Sequence, residues 1–320
     1  MTSWRPSSGP SVAMRRAEMF ERGRQYFAAQ DVLAVDTPAL GRYAASDTNI
    51  ASISAQKGSG EKLYLQTSPE MYMKRMLASG YPDIYSICRV FRDGEAGKRH
   101  SPEFTMTEWY RLGFNLSEII DDTVAFIAAC LDLPRLTENV VQFDYATVFK
   151  KFADIDVFTA SADELLSRYD DDERFKSVLG DDRQAALDLT MSTVVAPQFA
   201  VDQLTVIKHY PADQAALSRV CPNDSRVADR FEVFCGDLEL ANGYVELTDA
   251  DEQRRRFEQD VESRQTSGEK QFEVDEPVLA ALEAGLPDCA GVAIGMERLQ
   301  MLLDQADDIG DVVTFTLESQ

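Results

Sequence analysis

The chain has 320 residues, 44% of them hydrophobic, and its 55 acidic against 32 basic side chains give a formal net charge of −23; that is enough apolar material for one sizeable buried core. Such acidity disfavours nucleic acid, whose phosphates are bound by Lys and Arg displacing counterions, and reads instead as solubility or adaptation to a salt-rich host. No run approaches the ~18 apolar residues of a membrane span, and the opening MTSWRPSSGPSV lacks the apolar stretch of a signal peptide, so a cytoplasmic protein is expected.

In chain order, AMRRAEMFERGRQYFAAQD has helical spacing, with Met19, Phe20, Tyr26 and Phe27 near one stripe. VLAVDTPAL reads as a short strand closed by Pro38, residues 41–60 as loop, and KLYLQ as a strand. TSPEMYMKRMLASG reads as a short helix, with Thr67 and Glu70 at capping-box spacing, Pro69 in the first turn and Gly80 at its end. DIYSICRVFR and EFTMTEWYRL form two strands joined by the long loop DGEAGKRHSP, and a helix follows at about 117–131. Residues 155–230 read as a mostly helical acidic insertion, with a capping box in SADELL and solvated turns at DDDE and GDD. RFEVFCGDLELANGYVEL resumes the strands, with turn signals at Gly236-Asp237 and Asn242-Gly243. A helix starting at Thr248 or Asp249 and a final strand and helix in CAGVAIGMERLQMLL complete an α+β chain built on an antiparallel sheet flanked by helices.

Five scattered cysteines with no Cys-x-x-Cys pair suggest neither a disulfide framework nor a zinc site, and two histidines, His100 and the unassigned His209, cannot build a histidine metal centre. Chemistry therefore rests on carboxylates, arginines and lysines. Between Arg89 and His100 stand Arg89, Arg92, Lys98 and Arg99 against Asp93 and Glu95, in a loop where glycines let the backbone approach a polyphosphate. Glu232, Glu239 and Glu246 fall seven apart, and the first two can face one cavity from paired strands, as a hard cation such as Mg²⁺ requires. In GVAIGMERL, Gly291 and Gly295 keep a strand slim where a ligand passes, and Arg298 opens a helix beside it. Phosphate-binding arginines and metal-binding glutamates describe a nucleotide-using enzyme without a Walker loop.

VLAVDTPAL, FRDGEAGKRHSPEFTMTEWY and GVAIGMERL resemble, in order, the three motifs of class II aminoacyl-tRNA synthetases, and ELANGYVELTDADEQRRRF is similar to the lysyl subclass. The resemblance runs from about residue 14. Motif one arrives by Pro38, which leaves no room for an anticodon-binding domain, so the expectation is a single catalytic domain over 1–320. It resembles the truncated paralogues that join (R)-β-lysine to elongation factor P. That resemblance implies an ATP- and Mg²⁺-dependent ligase, elongation factor P as protein substrate, lysine or β-lysine as the amino acid, no tRNA or membrane partner, and a homodimer built on motif one. Two other readings remain open: tRNA aminoacylation by the same fold, and a catalytically silent synthetase-like regulator.

By motif, the resemblance implies that Arg92 holds the α-phosphate during adenylation. Phe104 stacks on adenine, with Arg298 on its other face and at the γ-phosphate. Asp93, Gly94, His100, Ser101, Glu239, Leu240 and Gly295 join the ATP site, and Glu232 and Glu239 bind Mg²⁺. Glu246 and Tyr110 meet the distal ammonium, while Glu70 meets the other amine in addition to its capping role. Ser68, Pro69, Asn242 and Ala293 complete the lysine pocket. Asp93-Gly94 and Ser101 depart from the family's usual Asn-Glu and Asn; Ala293 and Ser68 replace its usual Gly and Ala, which favours β-lysine over α-lysine.

Overall fold

The computed structural model describes residues 4–45, 47, 50–169, 179–266 and 273–317. Helix α1 (Pro10–Ala28) opens with proline at its first turn and buries Met19, Gly23 and Phe27. Strands β1 (Leu33–Ala34), β2 (Leu40–Gly41), β3 (Ser54–Gln56) and β4 (Lys62–Leu65) are short. The motif-one strand is thus two residues long, and the segment expected as loop contributes two small strands. Helix α2 (Glu70–Ala78) follows, then β5 (Ile84–Phe91), β6 (Glu103–Leu112) and α3 (Leu116–Leu131). Asn115 and Glu118 close a reciprocal capping box at the start of α3.

Residues 140–208 add β7 (Val140–Asp144), α4 (Tyr145–Ala153), α5 (Ala162–Leu166), α6 (Arg183–Thr190) and β8 (Leu204–Lys208). Val148, Phe149, Leu165 and Leu187 give this segment an apolar centre of its own, packed on Ile207 and Phe234. Ser161 and Asp182 cap α5 and α6, while DDDE lies outside the described residues. Within the region expected as an insertion, β8 belongs to the main sheet. The chain ends with β9 (Arg230–Cys235), β10 (Leu238–Val245), α7 (Ala250–Thr266), α8 (Glu276–Gly285), β11 (Cys289–Gly295) and α9 (Met296–Asp304).

Eight strands form one sheet in the order β1-β5-β6-β11-β10-β9-β8-β7. Its six central strands are antiparallel, but β1 pairs parallel to β5 and β7 parallel to β8, so the sheet is mixed rather than antiparallel throughout. Both parallel pairs lie at the ends of the sheet, where a helix carries the chain back to the neighbouring strand. A second sheet has the order β2-β4-β3.

Helices α1 and α3 cover one face of the large sheet. There Phe27 stacks on Tyr85 and Phe126 at 4.2 and 5.0 Å, and Trp109 lies 4.8 Å from Phe126. Gly23 lets the two helices close up, because a Cβ there would lie 3.2 Å from Cys130 Sγ. Arg16 ties α1 to the last helix, donating to Glu297 Oε1 at 2.6 Å and Gln300 Oε1 at 3.0 Å. Among the described residues no helix is long and apolar enough to cross a membrane.

Candidate active site

The other face of the sheet is open, and a cavity of about 1430 Å³ lies over it. Strand parity decides which side chains enter. On β6 the alternating Phe104, Met106, Glu108 and Tyr110 line the cavity, and on β11 Gly291 and Ala293 lie opposite Tyr110 and Glu108. Arg230 and Glu232 of β9 share this face, and Asn242 pairs directly with Glu232. Simple alternation would send Glu239 and Asn242 to opposite faces. A register shift between Glu239 and Ala241 inserts the extra residue that brings Glu239, Asn242, Tyr244 and Glu246 to one cavity, while Leu240 and Ala241 turn into the apolar core.

From Phe104 to Tyr110, strand β6 runs about 20 Å, and the two ends of the cavity differ in charge. At the Phe104 end, the Arg92 guanidinium lies 5.2 Å over the Phe104 ring and meets Glu95 at 3.4 Å. Arg92 Nε is buried and has no hydrogen-bond partner among the described residues. Arg298 donates to Glu239 O at 3.1 Å and to Glu239 Oε2 at 3.3 Å, and lies 2.7 Å from His100 Nε2. Burial and the Arg298 charge push the His100 imidazole below its ordinary titration range, which suits it to accept from the guanidinium. Glu232 accepts from Arg230 at 2.7 Å. Its carboxyl is pushed up to about 7 by burial and by Glu239, so these two carboxylates repel across the space they share. A hard divalent cation fits that donor set.

At the Tyr110 end, carboxylates gather. Glu108, in the middle of β6, accepts from Ser68 Oγ at 2.8 Å and Tyr110 Oη at 2.7 Å. Tyr244 Oη donates to Glu70 Oε1 at 2.5 Å. Lys74 reaches Glu70 Oε1 at 2.7 Å and Glu246 Oε2 at 2.6 Å, and only 3% of its surface is exposed. Burial pushes Glu108 to about 7, with Glu70 adding to the shift, and pushes Glu246 to about 8.

Most of the expected residues line this one cavity: Ser68, Glu70, Arg92, His100, Ser101, Phe104, Tyr110, Glu232, Glu239, Asn242, Glu246, Ala293, Gly295 and Arg298. Asp93 and Gly94 do not, for they form an exposed turn in which the Gly94 amide donates to Asp93 Oδ1. Pro69 is buried as the N-cap of α2, while Leu240 borders the cavity too, with its side chain packed into the core. The Thr67–Glu70 capping box is not formed: Ser68 Oγ accepts from the Glu70 amide instead, which frees the Glu70 carboxylate for the cavity. Asn242-Gly243 is not a turn but the middle of β10. A Cβ on Gly243 would lie 2.7 Å from the Phe231 ring. Gly291 makes room for protein rather than ligand, since a Cβ there would sit 2.5 Å from Tyr110 Cε1 and 2.7 Å from Glu246 Oε1; Gly295 faces open space. His209 lies outside the cavity, 2.7 Å from Asp144.

Sequence reasoning missed Glu108, Lys74, Tyr244 and Arg230. Parity carried the signal for three of them: Glu108 lies between Phe104 and Tyr110 on one face, Tyr244 between Asn242 and Glu246, and Arg230 two residues before Glu232. Lys74 stands one helical turn after Glu70.

The family profile described as tRNA synthetases class II (D, K and N) matches residues 3–319. An elongation factor P--(R)-beta-lysine ligase of Haemophilus influenzae is 40% identical over 100% of this chain and 99% of its own length. Ligases of the same name from Mannheimia succiniciproducens and Klebsiella pneumoniae are 41% and 39% identical, each covering at least 97% of both chains. The chain belongs to the class II tRNA synthetase family and, within it, to the elongation factor P–(R)-β-lysine ligases.

Proposed function

We propose that this protein activates (R)-β-lysine with ATP and transfers it to the side-chain amine of a lysine on elongation factor P, releasing AMP and pyrophosphate. The observation that carries the reading is the gathering of three carboxylates, the buried Glu108 and Glu246 and the half-buried Glu70, at one end of a cavity whose other end presents Arg92 and Arg298. A diamino acid has two ammonium groups to place at the first end and a carboxylate to send toward the second.

The β-amine is the feature that distinguishes this substrate from α-lysine. Both residues that favour it lie at Glu108: Ser68 Oγ donates to its carboxylate, and Ala293 is its register partner across β6 and β11. Glu108 is therefore the proposed receiver of that amine together with Glu70, and Glu246 with Tyr110 receives the distal one.

In the first half-reaction a substrate carboxylate oxygen bonds to the α-phosphorus of ATP while the bond to pyrophosphate breaks. Arg92 is the proposed holder of the charge that builds on the α-phosphoryl oxygens, a role supported by its planar fork, its buried Nε and its position over Phe104, the proposed adenine platform. Arg298, backed by neutral His100, faces the departing phosphates. Glu232 and Glu239 are the proposed Mg²⁺ ligands, and the ion supplies charge neutralisation to the phosphates. In the second half-reaction the acceptor amine attacks the acyl carbon, AMP leaves, and the amine gives up a proton. Orientation and electrostatics suffice, so no nucleophilic side chain is required.

The protein is further proposed to act in the cytoplasm as a homodimer. Strand β1 lies at the open edge of the large sheet with Leu33 44% exposed, and light scattering tests the dimer. The decisive assay is ATP–pyrophosphate exchange with (R)-β-lysine and α-lysine side by side. Preference for the β isomer is expected; preference for α-lysine, or catalytic lysylation of purified tRNA, overturns the substrate assignment.

A further inference from the structure

Lys74 takes no part in the reaction set out above, yet it stands at the centre of the carboxylate cluster. Its ammonium bridges Glu70 Oε1 and Glu246 Oε2 at 2.7 and 2.6 Å and lies 5.6 Å over the Tyr244 ring. The titratable groups facing this cluster come from several elements: Glu70 on α2, Glu108 and Tyr110 on β6, Tyr244 on β10, Glu246 just beyond it, and the Cys289 thiol on β11. Helix α8 meets α2 through Val278, Leu279 and Leu282, which pack with Met73 and Leu77.

A buried ammonium is costly unless it is paired, and this one is paired twice. Burial alone would lower its titration; Glu246 and Glu70 outweigh that and hold it above the ordinary range, so it stays charged. Once all three carboxylates are ionised they outnumber the one ammonium by two, which is the complement of a substrate with two ammonium groups.

We infer that Lys74 is a positioning residue for the diamino-acid substrate: it holds the Glu70 and Glu246 carboxylates together and, by its charge, readies Glu246 to receive the distal ammonium. This rests on the reading of the cavity as an amino-acid pocket. Burial raises the Glu246 carboxyl to about 8, and Lys74 is the largest influence opposing that rise. Near neutral pH an incoming ammonium can therefore displace the proton. Without Lys74 the proton is held more firmly, and the second ammonium meets a neutral acid.

The test measures, by calorimetry without ATP, how much more tightly the full-length protein binds pentane-1,5-diamine than pentan-1-amine. Wild type, Lys74→Met and Lys74→Arg are compared near neutral pH and at about pH 9. In Lys74→Met the preference for the diamine is expected to fall about tenfold near neutral pH, equivalent to roughly one pKa unit on Glu246, and to recover at the higher pH. Lys74→Arg, which keeps the charge, retains most of the preference at both. In ATP–pyrophosphate exchange Lys74→Met raises KM for the amino acid and leaves KM for ATP unchanged. An unchanged diamine preference, or an equal loss at both pH values, overturns the inference. Should Lys74→Met unfold, Glu246→Gln must lose the preference at both pH values, and its retention overturns the inference equally. Wild type that binds the diamine tightly but exchanges pyrophosphate with no lysine isomer would sink the functional reading while leaving the role of Lys74 standing.

Discussion

The two faces of the large sheet each bury carboxylates, and they treat them in opposite ways. On the helix-covered face, Asp122 of α3 meets Trp109 Nε1 at 3.0 Å, Tyr26 Oη at 2.6 Å and Arg111 Nε at 3.1 Å. Asp122 has two neutral donors and a guanidinium that it shares with the partly exposed Asp83, so its oxygens are all engaged and nothing is left to attract a ligand. On the open face, Glu70, Glu108 and Glu246 share, among the described residues, only Lys74 as a cation, with Ser68, Tyr110 and Tyr244 as neutral donors. A balanced buried charge makes structure; an excess of one sign in a cavity makes a site for the other. Because β6 sends Trp109 and Arg111 to one face and Glu108 and Tyr110 to the other, the two kinds of environment are one residue apart.

The contrast breaks most sharply at Trp109. Trp109→Ala opens a void among Phe27 and Phe126 and takes a donor from Asp122, and about 3–5 kcal/mol of stability is expected to go. Urea unfolding measures this. Across the sheet, Arg92→Ala should leave the urea midpoint nearly unchanged yet lower kcat for pyrophosphate exchange by roughly 10²–10³-fold, the scale of losing one preorganised charge at the reacting centre. A large fall in stability from Arg92→Ala would show that the open face is structural after all.

Gly291 sharpens the comparison, since it lies where the open face is most crowded. Gly291→Ala drives a methyl into Tyr110 and the Glu246 carboxylate, and overpacking of this kind costs about 1–3 kcal/mol. The expected kinetic signature is a raised KM for the amino acid with KM for ATP unchanged, because the displaced groups lie at the Tyr110 end. An increase in KM for ATP instead would place the adenine at the wrong end of the cavity.

Much of this architecture was legible from pattern alone. Alternation located β5, β6, β9, β10 and β11, and the ordered motifs collected residues from four strands and two helices that line one cavity. What stayed hidden depended on geometry without a local sequence signal. The bulge after Glu239 leaves no mark in GDLELANG, yet it puts Glu239 on the same side as Asn242 and Glu246. Asn242-Gly243 has the composition of a hairpin turn, but Gly243 is there because β9 and β11 press on it from both sides. The parallel edges arise from crossover connections that span tens of residues, which strand-by-strand reading cannot see. Glu108 and Lys74 look like ordinary members of an amphipathic strand and helix until the faces they point from are assembled.

Ser68 offers the smallest and most discriminating test. It accepts from the Glu70 amide at 2.9 Å, as a cap on α2, and donates to Glu108 Oε2 at 2.8 Å. Ser68→Ala removes both contacts, and pH separates them. The Glu108 carboxyl has an ordinary value of 4.5 and is pushed up to about 7 by burial and by Glu70, while the Ser68 and Tyr110 donors hold it down. Between these values the unfolded chain is ionised and the folded one keeps its proton, so stability declines as pH rises through that window and levels off above it. The cap contributes about 0.5–1 kcal/mol at every pH. The bond to Glu108 contributes about 1 kcal/mol more, chiefly where Glu108 is ionised. The stability difference between wild type and Ser68→Ala should therefore be small near pH 4.5 and roughly double by about pH 8. A difference that is flat with pH would mean that Ser68 serves the helix alone. The open face would then have lost one of the donors that keep its central carboxylate within reach of an ammonium.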